Sequence, residues 1–204
     1  MTQRGGTRMT EERKANTMKK MALVLSVCLF AGMASATVEI SVQNVDGMAE
    51  IHYTATEGES ISAFALDVTV DTGTITGISG FIRGESTAQN PGYGIFPASF
   101  AAAITVDPDS GEVNDWNIAG YTPLANPDDP GALGGLNTPG VTLEMGALYA
   151  DNADAPGPEG LLCKLSISEA ATVSVALNEV RGGIVLTDAT RAADPVLGSA
   201  MVTP

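Results

Sequence analysis

Residues 61–70, ISAFALDVTV, alternate strictly enough to fix their conformation. Ser62, Phe64, Leu66, Val68 and Val70 fall on one side of an extended chain, and Ile61, Ala63, Ala65, Asp67 and Thr69 on the other. A period of two is the mark of a half-buried β-strand and does not fit the 3.6-residue period of an amphipathic helix. The first set is the expected core face. Similar texture recurs at residues 37–42 (TVEISV), 49–54 (AEIHYT), 75–82, 99–106, 141–149, 160–167, 172–177 and 183–187. Turn residues separate the early runs, at 44–47 (NVDG), 57–59 (EGE) and 71–73 (DTG). About nine short strands without a convincing helix predict an all-β chain, folded as a single antiparallel β-sandwich.

Two segments stand outside this pattern. Residues 18–36, MKKMALVLSVCLFAGMASA, read as a secretory signal peptide, with Lys19 and Lys20 before an apolar stretch and Ala34-Ser35-Ala36 as the small-residue cleavage pattern. The apolar stretch is too short for a span of about 20 residues. Residues 1–36 are therefore expected to be an N-terminal extension plus a cleaved leader, with Met18 as the true start. The folded domain is then 37–204, secreted or at the cell surface and free of the membrane after cleavage. The second segment is 107–140, where eleven of 34 residues are Gly or Pro, six are acidic and none is basic. A long loop is expected there, serving function or embellishing a sandwich edge.

Charge removes whole classes of function. Six of the ten Lys and Arg and two of the 24 Asp and Glu precede Thr37, leaving four basic against 22 acidic groups. Arg83, Lys164, Arg181 and Arg191 are too few to bind nucleic acid, whose affinity comes from clustered cations. Cys28 leaves with the leader, so Cys163 is unpaired and is expected to be a buried strand thiol. His52 is the only histidine and sits within a predicted strand, with Tyr53 on the opposite face. No G-x-S-x-G, H-E-x-x-H or C-x-x-C motif occurs, and the close acid pairs fall in turns, so catalysis is not expected.

Two binding chemistries remain. Tyr93, Phe96, Trp116 and Tyr121 lie in Gly/Pro-rich loops, with Tyr93, Trp116 and Tyr121 the candidate stacking residues for a carbohydrate, while Phe64, Phe81 and Tyr149 fall in strand patterns. In 107–115, DPDSGEVND, Asp107, Asp109 and Asp115 offer alternating oxygen ligands that suit calcium, the one cofactor considered. Gly111 stands at the fifth position and Ile118 at the twelfth, where a calcium loop carries an acid and a bidentate Glu.

Several stretches resemble the cohesin-type β-sandwich found in secreted bacterial proteins of polysaccharide-degrading systems. Residues 61–80 (ISAFALDVTVDTGTITGISG) resemble its inward Phe-x-Leu strand, acidic turn and following strand. Residues 160–167 resemble its later Gly-x-Leu-x-x-Leu strand, with Ile167 in place of the aromatic, and 178–188 (NEVRGGIVLTD) its closing strand. Residues 84–97 (GESTAQNPGYGIFP) and 141–149 also resemble segments of secreted proteins from planctomycete-type bacteria. The 107–140 loop departs from the family pattern. The resemblance implies a cohesin-like jelly roll and a secreted, non-catalytic, monomeric module that binds another extracellular protein, one bearing a dockerin, through a sheet face. The alternatives are a carbohydrate-binding module for a polysaccharide and a structural surface or matrix component.

Overall fold

In the computed structural model the described residues are 38–56, 60–95, 104–109, 113–116, 119–149 and 151–204. The described residues hold thirteen strands and fold as an all-β sandwich with one separate strand pair: β1 (Val38–Val45), β2 (Met48–Ala55), β3 (Ile61–Val70), β4 (Ile75–Ser79), β5 (Gly94–Ile95), β6 (Ile104–Val106), β7 (Val113–Trp116), β8 (Gly140–Gly146), β9 (Glu159–Ile167), β10 (Ala171–Leu177), β11 (Ile184–Leu186), β12 (Val196–Leu197) and β13 (Ser199–Val202). One sheet has the order β12-β1-β2-β9-β4. The other runs β13-β10-β3-β8-β5, with β11 also beside β3, and β6 and β7 form a separate pair.

The alternation of β3 does what its sequence predicts. Phe64, Leu66, Val68 and Val70 point into a core shared with Ile40 and Ile51 of the first sheet and with Leu143 and Val173 of the second. Ile61 and Ala65, on the expected outer side, are buried as well. The segment after β10 closes over Ala65, whose amide donates to Gly183 O and whose carbonyl accepts from Asn178 N. Cys163 is buried in β9, and Tyr53 is buried with His52 facing out.

A sandwich has two open sides, and this chain closes both. On one side the C-terminal strand changes sheet at Gly198. Its amide donates to Ile40 O at 2.7 Å, and its carbonyl accepts from Val175 N at 3.2 Å. A Cβ here would sit 3.0 Å from Ile40 O and 3.2 Å from Ser41 Cα, so only glycine lets the backbones approach. The β12–β1 pairing is parallel, an exception to the antiparallel rule expected from sequence. The β1–β2 hairpin turns through Asp46 and Gly47 at φ 50° and 79°, the left-handed pair that matches strand twist.

On the other side, residues 123–138 bridge the sheet edges. Ala125 N donates to Thr142 O and Glu144 N to Pro123 O, extending the β8 edge, while Asn137 N donates to Ile75 O and Ile75 N to Thr138 O at β4. Much of the predicted loop is thus an edge closure, and it also contains β7. It caps backbone groups that would otherwise template association. Strand 75–82 stops at Ser79, and β5, β7, β12 and β13 were not expected. Residues 99–103 lie outside the described set, as does the predicted leader. Among the described residues no helix is long and apolar enough to cross a membrane.

Candidate functional site

The two outer faces of the sandwich differ. On the second sheet, β8 is buried on both sides. A strap over 129–133 lies against its outward residues through a polar network. Asp67 Oδ1 accepts from Thr142 Oγ1 at 2.6 Å and from Asn178 Nδ2 at 2.9 Å, Asn178 Nδ2 also donates to Gly131 O at 2.7 Å, and Leu133 N donates to Thr142 Oγ1 at 2.9 Å. Arg181, in the 3₁₀ turn Glu179–Arg181, completes it. Its Nε donates to Glu144 Oε1, its Nη1 to Pro130 O at 3.0 Å, and its Nη2 lies 3.6 Å from Asp129 Oδ2. The Glu144 carboxylate holds the guanidinium even more firmly protonated than usual. Glu144 Oε2 is the one buried side-chain oxygen of this network that no hydrogen bond among the described residues reaches; the remaining bonds tie the strap in one position.

Among the described residues, none straps the outer face of the first sheet. Its outward residues include Glu39, Ser41 and Gln43 of β1, His52 and Thr54 of β2, and Lys164 and Ser166 of β9, all exposed or half-buried. The chain's only histidine and its only lysine after residue 36 meet here on one carboxylate. Glu50 lies directly opposite Lys164 in the β2–β9 register, with Oε1 2.5 Å from Nζ, and its Oε2 is 2.9 Å from His52 Nε2. Hydrogen bonds from Lys164 and then His52 hold the Glu50 carboxyl below its ordinary value. The result is a flat polar face with a fixed, charge-balanced centre.

A concave site opens at one end of the sandwich. A cavity of about 590 Å³ is bounded by Thr54, Ser60, Tyr93, Tyr149, Pro156 and Glu159, among others. Beneath it Tyr93 stands edge-on to Phe64 at 4.7 Å and to Tyr53 at 5.0 Å.

No family model matches this chain, and neither a curated protein nor a solved structure matches it at significance. Its site must therefore be read from its own residues.

The sequence-derived candidates do not come together as one platform. Tyr93 is not an open loop ring: it is 3 % exposed, and its hydroxyl donates to Ile61 O at 3.0 Å. Its position between Gly92 and Gly94 suggested a loop, but those glycines let the chain turn inward and insert the ring into the core. Trp116 belongs to β7, opposite Ile104, rather than to a loop; its side chain lies outside the described residues. Tyr121 is half-buried, and its carbonyl accepts from Arg83 Nε at 3.2 Å.

Of the calcium candidates, Asp107 Oδ1 accepts from Asp109 N at 2.8 Å, an Asx turn. Asp115 lies in β7, with its side chain outside the described residues. Among the described residues no three His, Cys, Asp or Glu side chains are grouped to hold a metal. Tyr149 was assigned to a strand, yet β8 ends at Gly146 and Tyr149 lines the cavity mouth half-buried. The only hint in the sequence was the turn-rich DNADAPGPEG that follows it.

Proposed function

We propose that this protein is a secreted, non-catalytic, cohesin-like β-sandwich module that binds another extracellular protein through the outer face of the β12-β1-β2-β9-β4 sheet. The observation that supports this reading is an asymmetry of the faces: the protein's own strap occupies one, and among the described residues no such segment lies over the other. On the free face the Glu50, His52 and Lys164 side chains are fixed to one another, so a partner meets hydrogen-bonding groups whose ordering cost has been met in folding. Such a face supplies specificity through polar complementarity more than through apolar area.

The balance of 22 acidic to four basic groups after residue 36 argues against nucleic acid as the partner. Carbohydrate binding through Tyr93, Trp116 and Tyr121 is the weaker reading, because Tyr93 offers no free ring face. The test is affinity capture from secreted and envelope fractions, with and without calcium, read by mass spectrometry. Recovery of a protein bearing a dockerin-type repeat is the expected result. Retention of polysaccharide with no such protein overturns the reading.

A further inference from the structure

The end cavity has a chemistry of its own, separate from the open sheet face. Its volume of about 590 Å³ lies within the range of small-molecule sites, about 300–1,000 Å³. Its walls are tied to the core before any ligand arrives. Tyr53 Oη donates to Gly157 O at 3.0 Å, Tyr93 Oη donates to Ile61 O at 3.0 Å, and Ala55 N donates to Pro158 O at 2.7 Å. The 3₁₀ turn Asn152–Asp154 that leads into the Ala155-Pro156-Gly157-Pro158 wall is capped by Asp151 and held to the opposite chain by Ser86 Oγ, which donates to Asp154 O. Prolines and phenol anchors make this a preformed site.

The polar groups around it are hydroxyls at Thr54, Ser60 and Tyr149, which can donate or accept, together with one carboxylate. The Tyr93 phenol spends its proton on Ile61 O, and Glu159 adds a carboxylate at the exposed rim. No Lys, Arg or His is among its described lining residues. The field is felt by the tyrosines: burial, and then the Glu159 carboxylate, push the Tyr53 phenol up to about 12. Burial, and then the Tyr53 and Tyr149 phenols, push Tyr93 above its ordinary value. The one charged group among the described lining residues is the Glu159 carboxylate, so an anion finds no counter-charge there, whereas a cation on an apolar body finds that carboxylate, a half-exposed ring at Tyr149 and aliphatic proline surface.

We propose that this cavity binds a small organic cation, an alkyl- or arylammonium whose charge is balanced by Glu159 and whose apolar body lies against Tyr149 and Pro156. The test is calorimetric titration of the protein with benzylammonium, its neutral analogue benzyl alcohol, benzoate, and cellobiose. The expected order is benzylammonium tightest, benzyl alcohol weaker and benzoate without binding. Glu159→Gln, at an exposed position, should weaken benzylammonium about fivefold, as befits one partly solvated ion pair. Glu169→Gln, at an exposed acid elsewhere, should change nothing and so separates the site from the general field of an acidic protein. Tyr149→Ala should weaken benzylammonium and benzyl alcohol together. Equal binding of benzoate, an unaffected Glu159→Gln, an equal loss in Glu169→Gln, or binding of cellobiose in place of the ammonium would each overturn the proposal.

Discussion

Lys164 Nζ lies 2.5 Å from Glu50 Oε1, joining two directly opposed residues of β9 and β2 at the centre of the uncovered sheet face. His52, two residues along β2, reaches the other oxygen of the same carboxylate. Three titratable side chains from two strands thus form one rigid polar centre on a surface that also carries Glu39, Ser41, Gln43, Thr54, Ser166 and the exposed Val196.

This centre gives stability a pH signature. The Glu50 carboxyl is depressed in the folded state below its ordinary 4.5, so the unfolded chain takes up its proton first. Its contribution is fully present above about pH 4.5 and is lost as pH falls through the lower folded value. Urea denaturation of wild type and Glu50→Gln across pH 3–7 should show the largest gap near neutrality and a closing gap below pH 4.5. A gap independent of pH would contradict the ion-pair account.

Arg181 should be among the costliest single positions outside the apolar core. Arg181→Ala leaves the Glu144 carboxylate buried without its counter-charge and frees the strap at Pro130. Breaking one side of such a pair costs about 3–5 kcal/mol. The denaturation midpoint should fall accordingly, and limited proteolysis should cut first within residues 127–134. Arg181→Ala combined with Glu144→Leu should recover much of the loss.

Gly198→Ala tests how the sandwich is closed. The added methyl meets Ile40 O and Ser41 Cα, both main-chain atoms that cannot swing away. An overpacking cost of about 1–3 kcal/mol is expected. Amide exchange should quicken at Val196 and Leu197, whereas an unchanged midpoint would show that the C-terminal strand is dispensable.

Cys163 should be silent in the folded protein. Burial alone pushes its thiol far above the ordinary cysteine value, and it faces the core between the sheets. Reaction with a thiol reagent at pH 8 should track global unfolding in urea. Rapid labelling of the native protein would contradict its placement.

How much of this was legible in the sequence depends on how local each cause is. β3, β9 and β10 were readable because period-two alternation is a property of the strand itself, and so were the buried Cys163 and the opposite faces of His52 and Tyr53. β8 was readable as a strand, but the burial of Thr142 and Glu144 was not, since it depends on Gly131, Leu133 and Arg181 arriving from elsewhere. Tyr93 was misplaced for the same reason: a glycine-flanked aromatic looks like a loop until Tyr53 and Phe64 are seen to receive its ring. The cavity draws on five separate stretches of chain, none of which carries a motif. β12 and β13 are two and four residues long, too short for periodicity to register.

The central claim is docking through the uncovered face, and a paired-variant capture tests it most directly. Ser41→Arg places bulk and charge beside His52 on that face, where the two residues are register partners. Ala176→Arg does the same at an exposed position on the opposite sheet. Both should fold with the wild-type denaturation midpoint. The account predicts that the captured extracellular protein is lost with Ser41→Arg and retained with Ala176→Arg, and retention with Ser41→Arg alongside loss with Ala176→Arg would contradict it.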